Sequence, residues 1–333
     1  MIDAIKRARP WLVGAMAAMA AVACGERGPR AGGGLAGSVE VDGSSTVYPI
    51  TEAVAEEFTI ETGGDVRVTV GVSGTGGGFK RFCAGETAVS NASRPIKASE
   101  RAACEQAGIE YVELPVAYDG IAVVVNPAST FVQCLTTQEL RRLWAPASTV
   151  RRWSDIRPAW PAAEIRLYGP GTDSGTFDYF TAEVVGEEGA SRADYTASEN
   201  DNVLVQGVTG DPNALGYFGF AYYEENTGRL RLLGVDGGAG CVRPTRESIK
   251  SGEYPLSRPI FIYVNTAALQ RPAVAAFVRF YLETAGTLAP EVGYIALEPS
   301  AYQDGLRRVA QAAAGAPDAA SDTGAAGAAG TRG

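Results

Sequence analysis

The chain has 333 residues, 46% of them apolar and 20% charged, with a formal net charge of −9 and no histidine. These values describe a globular chain of about two domains with ample core, and the acidic balance argues against nucleic acid as a partner. The lack of histidine removes the commonest general base and metal ligand, and with them Ser-His-Asp chemistry, Cys-His chemistry and most zinc sites; no metal and no cofactor is expected.

The first residues read as an export signal. Lys6, Arg7 and Arg9 precede an apolar run from Trp11 to Ala23 that is short for a membrane span and ends in small residues. Ala21-Val22-Ala23-Cys24-Gly25 resembles a bacterial lipobox, with Cys24 as the lipidated residue, although Ala21 departs from the preferred Leu and leaves plain signal cleavage open. Cleavage before Cys24 removes Asp3, Lys6, Arg7 and Arg9, a net +2, and takes the charge from −9 to −11. Any anion must then be held by local donors against the overall field. Gly25 to Gly37 has the composition of a flexible tether.

Four cysteines follow Cys24: Cys83, Cys104, Cys134 and Cys241. Outside the cytoplasm an even number suggests two disulfides, with three pairings formally possible and free buried thiols as the alternative. The favoured pairing joins Cys83 to Cys104 across a short loop and Cys134 to Cys241.

Taken in order, Val39 to Val41 is a short strand that stops at Asp42-Gly43. The hydroxyls of Ser44, Ser45 and Thr46 follow, then a helix with Ile50, Val54, Ala55 and Phe58 on one face. Val66 to Val72 alternates as a strand, and Ser73-Gly74-Thr75-Gly76-Gly77-Gly78 leads into Phe79 and Phe82. Ala88 to Ile96 reads as a strand end that delivers Ser93 and Arg94 to a turn, where an arginine can fork onto two oxygens of an oxyanion. Taken alone, Arg94 is more simply a solvated surface charge. Val112 to Val125 is β-type, interrupted by Asp119-Gly120, with Ile121 to Val125 suited to a buried sheet. Leu135 to Trp144 is a helix with Thr136 and Glu139 spaced as a capping box, and Trp153, Ile156 and Trp160 are packing residues.

Gly169 to Phe177 (GPGTDSGTF) is a glycine-rich turn running into a helix that begins near Ser174, with Phe177, Phe180, Val184 and Val185 facing the core. Free N–H groups at a helix start, glycines that admit close approach, and the hydroxyls of Ser174 and Thr176 make an anion seat; the plain alternative is an ordinary N-cap. Leu215 to Tyr223 reads as an aromatic-rich central strand, Ile260 to Val264 as a buried strand, and the last clear element is a helix from Pro272. No repeat of fixed period is present, and alternating strands and helices indicate α/β architecture. The glycine runs match neither a dinucleotide fingerprint nor Walker A.

Strand, hydroxyl-rich turn and helix therefore recur three times, beside an arginine, an aspartate and an export signal. The combination resembles the phosphate-binding proteins of bacterial ABC phosphate uptake systems. The matching stretches are DGSSTVYPI (42–50), GVSGTGGGFKRF (71–82), ASRPI (92–96), Asp119-Gly120 and PGTDSGTFDYF (170–180), with GYFGFAYY and SRPIFIYV extending the similarity over about residues 38–310.

The resemblance implies a two-lobed type II periplasmic-binding-protein (venus flytrap) fold, each lobe a mixed sheet flanked by helices, with two crossovers. Its parts are a signal peptide at 1–23, a tether at 24–37, lobe 1 at 38–122 and 257–309, lobe 2 at 123–256, and a disordered tail at 310–333. Carried over residue by residue, Ser45 and Thr46 match the first anion-contacting turn, Ser73 and Thr75 the second, and Ser174, Gly175 and Thr176 the third. Better-known members carry an aspartate where this chain has Ser93, and an arginine where Pro170 and Gly171 stand. Arg94 is therefore expected to supply the guanidinium from the other lobe, and Asp119 the acceptor for the proton of hydrogen phosphate.

The implied role is capture of inorganic phosphate and delivery to ABC permease subunits, without catalysis, by a monomer held at the membrane through Cys24. Alternatives are another oxyanion (sulfate, molybdate, a phosphonate), a sensor or scavenger, and an exported phosphatase with Ser174 or Ser45 as nucleophile, which would need a carboxylate or metal as activator.

Overall fold

A computed structural model of the chain describes residues 35–315. The signal segment, Cys24, most of the tether and the tail beyond 315 lie outside these. Strand β1 (Gly37–Gly43) leads to helix α1 (Tyr48–Glu61), β2 (Val66–Val70), α2 (Gly74–Cys83), β3 (Val89–Ala92) and α3 (Ala98–Gln106). The long strand β4 (Tyr111–Val125) then passes into β5 (Cys134–Thr136), α4 (Thr137–Trp144), α5 (Trp153–Ile156), β6 (Arg166–Gly169) and α6 (Gly175–Phe180), which runs on as one π turn over Thr181–Val185. Next come β7 (Thr196–Ala197), α7 (Asp201–Gly210), β8 (Ala214–Gly219), α8 (Phe220–Glu225), β9 (Arg231–Leu232), β10 (Gly234–Asp236), β11 (Cys241–Val242) and α9 (Arg246–Lys250). Strand β12 (Ser257–Asn265) and helices α10 (Pro272–Glu291) and α11 (Pro299–Ala313) complete the chain.

The strands form one curled sheet in the order β2-β1-β3-β12-β4-β8-β6-β7, with β9 also on β4, and a small sheet β11-β10-β5. Two large hydrophobic cores divide it. The first holds Val39, Val54, Phe58, Val112, Leu114, Val116, Ala117, Ile260, Ile262, Val264 and the inner face of α10; the second holds Ile121 to Val125, Trp144, Phe180, Leu204, Tyr217 and Phe218. A smaller third cluster, with Phe79, Phe82, Cys83, Cys104, Phe261 and Tyr263, lies under α2 and α3. Strand β4 changes core between Ala117 and Ile121, and Tyr118 packs against both. The antiparallel partner strand β12 makes the second crossing, since Leu256 belongs to one core and Ile260 to the other. At this changeover Arg258 lies opposite Asp119.

Several expectations are corrected. Asp119-Gly120 does not interrupt the strand, because both residues keep their ladder with Arg258 and Ser257. The stretch 215–223 is not one strand: pairing with β4 stops at Gly219, and Phe220 starts a helix that buries its ring in the second core. Leu135 belongs to β5 in register with Val235, so the helix begins only after Thr136, whose hydroxyl accepts from Glu139 N as the capping-box spacing requires. Ala310 to Ala313 close an amphipathic helix not recognised in the sequence, with Val309 and Ala312 on the first core; alanine-rich composition suits a helix as well as a coil. At the other end, Gly37, assigned to the tether, is the first residue of β1.

Gly76, Gly77 and Gly78 are themselves helical, within α2. A Cβ on Gly78 would lie 2.5 Å from Gly43 Cα, so only glycine lets α2 settle on the end of β1.

Both disulfides form as favoured. Cys83–Cys104 ties α2 to α3, and Cys134–Cys241 ties β5 to β11 across 107 residues of sequence. Because a cross-link that closes a long loop constrains the unfolded chain most, replacing Cys134 and Cys241 by serine is expected to cost about 2–4 kcal/mol. Urea unfolding of the double variant checks this.

Candidate functional site

The three hydroxyl-rich turns have different fates. The first, between β1 and α1, faces the third, between β6 and α6, across the gap between the two cores. Thr46 is buried; its Oγ1 donates to Gly175 O at 3.0 Å and accepts from Arg258 Nη2 at 2.9 Å. Ser45 Oγ donates to Asp178 Oδ2 at 2.7 Å. The approach is so close that a Cβ on Gly175 would lie 2.4 Å from Thr46 Cα. Ser174 caps α6, its Oγ accepting from Thr176 N at 3.2 Å, the ordinary N-cap. Ser45, Asp119, Ser174, Gly175 and Thr176 line a cavity of about 690 Å³.

The second turn is self-contained. Thr75 Oγ1 lies 3.0 Å from Ser93 Oγ and accepts from Ser93 N at 3.2 Å, while Ser73 donates to Asp42 at 3.0 Å. Arg94, expected to bring the guanidinium, is already engaged. Its two terminal nitrogens fork onto Glu100 at 2.7 and 2.8 Å, with the charge over the Phe79 ring. A carboxylate already holds the geometry meant for an oxyanion.

The guanidinium beside the cavity belongs to Arg258, which sequence reasoning passed over. From β12 its Nη2 reaches Thr46 and lies 3.5 Å from Asp119 Oδ2, and its Cζ sits 3.6 Å over the Tyr179 ring. Arg258 Nε is buried without a partner. The signal was present in SRPIFIYV, an arginine leading an apolar strand, but only the register with β4 turns it toward Asp119.

Asp119 is 3% exposed. Burial pushes its carboxyl above the usual carboxylate range, and the charge of Arg258 pulls in the opposite direction. Tyr294 donates its phenol to the Thr46 carbonyl and closes the back of the turn.

The remaining wall is acidic. Glu199 accepts from Gly171 N at 3.1 Å and Asp173 N at 3.4 Å, occupying the amides at the front of the third turn. Asp201, a neighbour of Glu199 on the cavity wall, is pushed up to about 7, first by burial and then by the Glu199 charge.

This architecture, two α/β halves on a shared sheet joined by two crossing strands with a polar cavity between them, is the type II periplasmic-binding-protein fold. Residues 28–284 match the PBP superfamily domain. Protein SphX of Synechocystis is 52% identical over 272 residues, covering 80% of this chain and 81% of its own. The phosphate-binding protein PstS of Staphylococcus saprophyticus is 39% identical over 284 residues, covering 85% and 87%. A crystal structure described as a possible phosphate binding protein from Planctomyces limnophilus superposes with a TM-score of 0.80 at 50% identity, covering 84% of this chain and 99% of its own. The chain belongs to the PBP superfamily, in the branch that holds SphX and the phosphate-binding protein PstS.

Two predictions follow from this geometry. Gly175→Ala places a methyl inside the Thr46 backbone and is expected to hold the halves apart, seen as a larger radius of gyration in X-ray scattering with unchanged far-UV circular dichroism. Asp201 binds its proton more tightly when folded than the ordinary carboxyl value of 3.8 allows when unfolded. Its cost to stability is therefore absent at pH 3, grows as pH rises and is complete above about 7. Asp201→Asn is expected to raise the melting temperature at pH 8 and leave it unchanged at pH 3.

Proposed function

We propose that this chain binds inorganic phosphate in the cleft between its halves and delivers it to a membrane ABC permease, as a binding protein without catalytic chemistry. The observation that carries the reading is the cation of Arg258 bonded to Thr46 and 3.5 Å from Asp119, directly behind a cavity wall on which Asp119 and the Ser174–Thr176 turn lie. The PstS relative named for phosphate binding, and the five matching stretches in order, support it.

In this reading the lobes are 38–122 with 257–309, and 123–256, each built on one of the two cores. The anion is held by backbone N–H groups of the third turn, the Ser174 and Thr176 hydroxyls and the Arg258 guanidinium, with the Ser45 and Thr46 hydroxyls joining when their bonds to Asp178 and Gly175 are exchanged for ones to the anion. Thr75 and Ser93, each other's partner here, supply further hydroxyls when their mutual bond is exchanged for one to the anion. Arg94 and Ser73 serve within lobe 1, on Glu100 and Asp42. The chain is exported and anchored through Cys24, and works as a monomer.

Asp119 supplies selectivity. Hydrogen phosphate has a proton to donate to an ionised carboxylate, whereas sulfate presents only acceptors and meets an unpaired negative charge. Because burial raises the Asp119 pKa, acidification protonates it and turns it into a donor that sulfate can use.

Calorimetry on the mature chain is expected to show phosphate binding, with sulfate weaker by at least about a hundredfold at pH 8, in line with one unpaired charged group of about 3 kcal/mol. The gap should narrow as pH falls, and Asp119→Asn should close most of it. Arg258→Ala is expected to abolish tight binding, while Arg94→Ala retains most of it. Equal sulfate binding at pH 8, or full affinity in Arg258→Ala, overturns the assignment.

A further inference from the structure

Arg94 and Arg258 are held in opposite ways. The Arg94 fork closes on Glu100, which spends its donors and pairs its charge. Among the described residues, both hydrogen bonds of the Arg258 side chain start from Nη2, to Thr46 at 2.9 Å and to Asp119 at 3.5 Å, and Nε is buried without a partner. A guanidinium carries all its N–H donors in one plane, so bonds from a single nitrogen leave the orientation of that plane open. Packed against it is the face of Tyr179, whose ring centroid lies 3.6 Å from Cζ.

Tyr179 belongs to α6, one helical turn beyond Gly175. It is buried with the second core, and burial pushes its phenol up, so the ring meets the cation uncharged. The contacts close a circuit. Gly175 O accepts from Thr46, Thr46 accepts from Arg258, and Arg258 lies on a ring carried by the same helix as Gly175. The first turn, the crossing strand β12 and α6 thus meet at one guanidinium.

We infer that Tyr179 is a positioning residue for anion binding: its ring face holds the Arg258 cation in place without neutralising it, and leaves guanidinium donors for the ligand. The inference rests on reading Arg258 as the cation of the phosphate site. A carboxylate in place of the ring would fix the arginine as firmly, but it would compete with the anion for the same N–H groups, as Glu100 does at Arg94. Asp119 does so at Nη2 alone. An aromatic face attracts the charge through its quadrupole and takes no hydrogen bond from the guanidinium edge. Phenylalanine keeps that face, whereas leucine offers apolar bulk without it.

The test is a calorimetric titration of the mature chain with inorganic phosphate, comparing wild type, Tyr179→Phe, Tyr179→Leu and Arg258→Ala. Tyr179→Phe is expected to bind within about twofold of wild type and Tyr179→Leu about tenfold more weakly, the scale of a desolvated cation–π contact. Added to Arg258→Ala, Tyr179→Leu should cost no further affinity, because its partner is gone; a purely structural loss would add. In the proton NMR spectrum the Arg258 Nε–H, assigned by its loss in Arg258→Ala, should be shifted upfield by the ring current in wild type and Tyr179→Phe, and return toward the ordinary arginine position in Tyr179→Leu. The wild-type spectrum needs neither ligand nor a folded Tyr179→Leu, and an unshifted resonance there overturns the inference. Equal phosphate affinity of Tyr179→Leu and wild type, with Arg258→Ala weak, overturns it and leaves the phosphate reading standing. Tyr179→Phe as weak as Tyr179→Leu overturns it as well, since the hydroxyl and not the ring face would then be at work. If wild type binds no phosphate, both readings fall.

Discussion

The arrangement depends on one buried ion pair at the crossing point of two strands. Asp119 on β4 and Arg258 on β12 are register partners where the chain passes from one hydrophobic core to the other. As a stabilising device such a pair is poor, because removing both charges from water costs about as much as their attraction returns. At 3.5 Å, and with Arg258 Nε left without a partner, it is also incompletely satisfied. Its position accounts for it. A cation and an acceptor are thereby fixed to two strands that each run through both cores, with Asp119 on the cavity wall.

The three hydroxyl-rich turns show how far one local pattern underdetermines its use. Each follows a strand and precedes a helix, so each offers donors at the same geometric place. Thr46 and Ser45 spend theirs across the gap on Gly175 and Asp178, whereas Thr75 and Ser93 spend theirs on each other. What separates the cases is the neighbour brought by the tertiary fold. The same holds for arginine: Arg94 and Arg258 are alike in sequence, and the nearby Glu100 engages one while the strand register frees the other.

Features encoded locally were legible. The capping box at Thr136 and Glu139, the amphipathic faces of α1 and α10 and the turn before α6 all rest on residues within one or two helical turns of each other. Features set by partners distant in the chain were not. The aromatic run 215–223 has β propensity throughout, yet its strand ends where β4 ceases to offer a partner. Helix α11 was hidden because alanine and glycine composition is shared by tails and by helices that pack small residues on a core. Arg258 escaped for the same reason, since nothing within its own strand says that residue 119 lies opposite.

The placement of the disulfides has a mechanical consequence. One bond lies in the small cluster between α2 and α3, the other in the small sheet beside the second core, and no disulfide among the described residues joins the two large cores. One cross-link moved across the gap between the two large cores would tie together parts of the chain that the present pairing leaves covalently independent.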